Sequence, residues 1–85
     1  ICFDVGHANT MGLIDEFLEL KDRFVNIHVH DNMGAIDEHL PVGRGTVDFL
    51  GLLGRLSGYS GRYVIESRGM DDAVDSQKEL RRLLA

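Results

Sequence analysis

A single cysteine, Cys2, rules out an internal disulfide, and that count suits a reducing compartment. Apolar residues never run for the roughly 18 to 20 positions that a membrane-spanning helix needs. No leader-like segment precedes the first patterned residues, so the expectation is a soluble, cytoplasmic chain that does not enter a membrane. Basic residues are scarce: 9 stand against 14 acidic ones, the formal charge is −5, and no basic block stands out. Binding to nucleic acid through phosphate neutralisation is therefore disfavoured. Tyr59 and Tyr63 are too few for a base-stacking platform. Proline occurs once, at Pro41, and no linker or low-complexity stretch divides the 85 residues, which read as one unit.

What is present is the composition of an ordinary globular segment, 44% hydrophobic and 27% charged. So short a chain buries only roughly 60 to 65% of its unfolded surface. Apolar spacing divides it into three strand-helix units. Ile1, Phe3 and Val5 alternate with Cys2 and Asp4, as a strand of period two requires. Leu13, Ile14, Phe17 and Leu18 then follow helical spacing, which ends near Lys21. From Phe24 to His30 a second strand puts Val25, Ile27 and Val29 on one face and Asn26, His28 and His30 on the other. An irregular stretch, 31–45, leads to a helix carrying Phe49, Leu50, Leu53 and Leu56, with Thr46 as its expected cap. A third strand spans Tyr63 to Glu66. The last helix opens at Met70-Asp71-Asp72 and closes with Arg81-Arg82, the charge order that complements a helix dipole.

Strands alternating with helices imply a parallel sheet, because parallel neighbours need a crossover. The fold class is α/β, a partial (β/α) barrel. Three strands leave two open edges, so the expectation is that further strands come from a longer chain or from another copy in a homo-oligomer.

In a barrel of this kind chemistry gathers where strands end. Asp4, His28, His30 and Glu66 occupy such ends. Two carboxylates and an imidazole from adjacent tips offer hard oxygens and a borderline nitrogen, a set suited to Mn²⁺, Mg²⁺, Co²⁺ or Zn²⁺. Each residue also has a plainer role: a strand-end aspartate caps loops, and a histidine can be a hydrogen-bonded core residue. Glu66 follows three apolar residues, and an acid buried there needs a partner.

Four segments in order carry a resemblance. Asp4-Val5-Gly6-His7, His28-Val29-His30-Asp31-Asn32, Asp37-Glu38-His39-Leu40-Pro41-Val42-Gly43-Arg44-Gly45 and Val64-Ile65-Glu66-Ser67 resemble the last three units of the xylose isomerase-like TIM-barrel superfamily. That superfamily includes sugar-phosphate isomerases, ketose epimerases and endonuclease IV. The resemblance implies that Asp4, His28 and Glu66 bind a divalent metal. It further implies that Glu66 is one member of an acid/base pair acting on a small sugar or sugar phosphate. His7 resembles a substrate-contacting or further metal-binding histidine, and Asp37 and His39 resemble the loop pair that adds zinc ligands in the endonuclease. His30 and Arg44 take substrate-binding roles in this reading. Two departures stand out: the family's first metal-binding glutamate, from an earlier strand, has no counterpart, and Arg44 replaces the glutamate of a frequent Gly-Glu-Gly. The alternatives are a zinc-dependent nuclease for abasic DNA and a non-catalytic barrel segment that assembles with a partner.

Overall fold

In a computed structural model, which describes residues 1–84, three parallel strands form one sheet in the order β1-β2-β3. They are β1 (Cys2–Asp4), β2 (Asn26–Val29) and β3 (Arg62–Ile65). Asp4 pairs with His28, and His28 with Val64, so the functional strand ends lie side by side. Helices α1 (Val5–Met11) and α2 (Ile14–Leu18) follow β1, α3 (Phe49–Arg55) follows β2, and α4 (Met70–Leu84) follows β3. The sheet is an arc that does not close, which makes the architecture a partial (β/α) barrel of three strand-helix units.

One face of the arc is apolar and dry. Phe3, Ile27 and Val29 are fully buried beneath Leu18, Leu52, Leu53, Leu56 and Leu80 from the helices. Phe3 lies between Phe17 and Phe24, with ring centroids 5.6 and 4.9 Å away. Each such side chain contributes about 1.5 to 3 kcal/mol by leaving water. The opposite face carries Cys2, Asp4, Asn26 and His28, the polar alternation that the sequence sets up.

Four local expectations change. The chain turns helical directly at Val5 instead of continuing the strand through it, because the Asp4 side chain accepts the His7 N–H at 2.9 Å and caps α1. Gly12, at φ 68°, ends that helix in the left-handed region, which splits the first helical unit in two. The cap of α3 is Asp48, which accepts from the Gly51 N–H; Thr46 instead donates its hydroxyl to the Asn32 carbonyl at 3.2 Å. Val25 is 70% exposed, not on the buried face, because the strand begins at Asn26, two residues later than expected.

The long connection between β2 and α3 is ordered by one buried carboxylate. Asp31 accepts the N–H groups of Gly43 and Gly45 on Oδ2, at 3.1 and 2.9 Å. Its Oδ1 accepts those of Asn32 and Val47, at 2.9 and 3.1 Å. Gly45 must be glycine for this approach, since a Cβ would collide with Asp31 Oδ1 and the Asn32 carbonyl. From outside, the buried Ser76 hydroxyl of α4 accepts the Val42 N–H at 3.0 Å. The loop is thus pinned from both sides above the tips of β2 and β3.

Candidate metal centre

Asp4 ends β1, and its Oδ1 lies 2.7 Å from Nε2 of His30, which follows β2 directly. The same His30 Nε2 is 3.8 Å from Oε1 of Glu66, the first residue beyond β3. Ligand atoms of Asp4, His30 and Glu66 all lie within 4.8 Å of one another. His28 adjoins this group through Glu66, with Nδ1 3.2 Å from Oε1, but is not part of either three-residue group among the described residues. The second group comprises His30, Asp37 and His39. In it, Asp37 Oδ1 is 3.5 Å from His30 Nδ1, and Asp37 Oδ2 is 3.2 Å from His39 Nε2.

Two other residues singled out in the sequence lie elsewhere. His7 is exposed on α1 and adds its backbone N–H to Asp4 rather than its ring to either group. Arg44 leans toward α4, its guanidinium 3.9 Å from Asp75.

Two atoms in the site are buried without a hydrogen-bond partner: Glu66 Oε1 and His30 Nδ1. Leaving such a group unpaired costs about 1 to 3 kcal/mol. Glu66 Oε1 makes no hydrogen bond, although two imidazoles lie 3.2 and 3.8 Å away, and it sits beside a second carboxylate, an arrangement that a cation would neutralise. The donor set therefore fits a divalent ion: carboxylate oxygens from two strand ends and imidazole nitrogen from the third.

The charges of the pair reinforce each other. Burial works against ionised Asp4, but the His30 hydrogen bond, the His7 N–H and the charges of His30 and His28 outweigh it and lower its pKa to about 2. Burial likewise works against protonated His30. The Asp4 hydrogen bond and the charges of Asp4, Asp37 and Glu66 outweigh it and raise its pKa. The depressed aspartate contributes stability above its ordinary 3.8 and loses it as pH falls toward 2. The raised histidine contributes below its ordinary 6.5 and loses it as pH climbs through the higher folded value. Metal-free protein is accordingly expected to resist urea best between pH 3.8 and 6.5 and to weaken above that window. His30→Asn should flatten the alkaline limb; an unchanged limb in that variant would show that other groups govern it.

The sequence reading did not anticipate how the site is supported. Gly6 allows His30 to seat, because a Cβ there would collide with Cε1 and Nδ1 of the ring. Asn32 is fully buried, donates to the Gly6 carbonyl at 2.8 Å and accepts from Asn9 at 2.7 Å. The only sequence signals were a glycine two residues past Asp4 and a polar Asp31-Asn32 pair following an apolar strand.

Parallel strand-helix units with a cluster at the strand ends that could hold a cation define a partial (β/α) barrel. The chain belongs to the xylose isomerase-like TIM barrel family, whose match covers residues 1–85. It is 41% identical to the uncharacterized protein MJ1311 of Methanocaldococcus jannaschii over 90 residues, 99% of this chain and 31% of that protein. It is 34% identical to the uncharacterized protein MJ1614 of the same organism over 87 residues, 96% of this chain and 35% of that protein. The crystal structure of a D-tagatose 3-epimerase-like protein superposes with a TM-score of 0.92 at 41% identity, covering 99% of this chain and 34% of the other. The chain thus spans about a third of the length of the relatives it matches.

Proposed function

We propose that these residues form part of the active site of a divalent-metal-dependent isomerase or epimerase acting on a small sugar or sugar phosphate. The observation that carries this reading is the convergence of Asp4, His30 and Glu66 ligand atoms within 4.8 Å of one another, with Glu66 Oε1 buried and making no hydrogen bond. Likeness to an epimerase-like crystal structure supports the same reaction class. Asp4, Glu66 and the imidazoles at the tip of β2, His28 and His30, would hold the ion. When bound, it supplies positive charge beside a substrate carbonyl.

Glu66 would remove the proton from the carbon next to the carbonyl, the role of a positioned carboxylate base; isomerisation is completed when a proton reaches the former carbonyl carbon, and epimerisation when one reaches the opposite face of the same carbon. Ligand atoms of Asp4 and His30 lie within 4.8 Å of that of Glu66, so the base would stand beside the ion. The Asp31-braced loop shields the cluster from above β2. Epimerisation also needs an acid/base group on the opposite face of the substrate, and that group is not among the described residues.

A second reading has one specific observation behind it. The His30, Asp37 and His39 group could take a further ion, as a zinc-dependent nuclease for abasic DNA would require. The acidic site and a charge of −5 oppose a polyanionic substrate. Metal content of the purified protein, measured by plasma mass spectrometry, separates the two. One divalent ion per chain is expected for the sugar enzyme; two or three zinc ions would favour the nuclease, and none would remove both.

A further inference from the structure

The His30 ring is enclosed on two sides. Gly6 backs it so closely that a Cβ would collide with the ring, and the His39 ring stacks on it with centroids 4.0 Å apart and planes 7° from parallel. Between them His30 has no exposed surface. His39 reaches this position through a φ of 56°, and it is the one non-glycine residue with positive φ among the described residues. Such a conformation persists where the surroundings over-determine it, and often at functional sites. Asp37 faces both rings, His39 Nε2 with one oxygen and His30 Nδ1 with the other.

We propose that His39 is a positioning residue: its ring, stacked on the His30 imidazole, clamps it so that Nε2 faces Asp4 and Glu66, while its own nitrogens do not ligate the cation. Its Nε2 is engaged by Asp37, and it takes no part in the Asp4, His30 and Glu66 group. An imidazole ligand needs an outer partner to fix its plane, and loss of that partner typically weakens metal binding about 10- to 100-fold. The stacked ring surface, not a ring nitrogen, is what His39 contributes. This inference rests on the single-cation reading above.

Two variants separate surface from nitrogen. His39→Asn tolerates the left-handed backbone but has no ring, whereas His39→Phe keeps a ring without a ligating nitrogen. In metal-free protein, NMR should show cross-relaxation between the His30 and His39 ring protons and upfield-shifted His30 resonances. His39→Asn should abolish that shift. Absence of both signals in the wild type overturns the clamp irrespective of any cation. In calorimetric titration with Co²⁺, His39→Asn should lose about 10- to 100-fold in affinity while His39→Phe stays near wild type. Equal losses would make His39 a ligand, and no loss in either would leave it without a role; both results overturn the proposal. Wild-type protein that shows the ring contacts yet binds no Co²⁺ would overturn the cation reading and this inference with it.

Discussion

Glu66→Gln is expected to lower turnover of the protein that carries this chain by at least about 10² to 10⁴, the range attributed to a positioned acid/base group. An amide has the size of the carboxylate, but it neither accepts a proton from carbon nor carries the charge that a cation needs. Both functions assigned to Glu66 disappear together. The fold should persist, because the residue lies just beyond β3 with its side chain 34% exposed, and its Oε1 has no hydrogen bond to lose. Steady-state kinetics and thermal melting on the same preparations give the comparison. A folded variant with wild-type kcat would remove Glu66 from the chemistry.

Asp31→Ala is expected to cost at least about 1 to 3 kcal/mol of folding stability, the scale of leaving a buried hydrogen-bonding group unsatisfied. Asp31 is fully buried, and four backbone N–H groups converge on its carboxylate. Alanine leaves these donors unpaired in a segment that water cannot easily reach. Domains are stable by only about 5 to 15 kcal/mol, so the loss is a large share of the total. Urea unfolding should show a much lower midpoint, and the loop bearing Asp37 and His39 should exchange its amide hydrogens faster. An unfolding free energy within about 0.5 kcal/mol of wild type would mean that the loop is held by other contacts.

The sequence made the barrel units legible because period-two and period-3.6 patterns report directly on buried faces. Phe3, Ile27 and Val29 were readable for that reason. Helix boundaries were less so. Asp4 carries two signals at once, strand end and helix cap, and Thr46 competed with Asp48 for the start of α3. The strand-end groups of the site were also visible as residue types, since Asp4, His28, His30 and Glu66 lie on the polar face or just past it. Which imidazole approaches Asp4 was not visible. That depends on how the chain bends after Val29, where the strand ends and Gly6 leaves room for the His30 ring. The role of Asp31 was hidden for a similar reason: its partners at 43, 45 and 47 meet it only once the loop has folded back, a closure no local pattern encodes.

The arrangement of Asp4, Glu66 and the β2-tip imidazoles around one shared point is most directly tested by anomalous diffraction from crystals grown with Mn²⁺. The expected result is a single strong peak about 2.0 to 2.4 Å from carboxylate oxygens of Asp4 and Glu66 and from an imidazole nitrogen of His28 or His30. A peak bonded to neither carboxylate, or an empty cluster at saturating Mn²⁺, would contradict it.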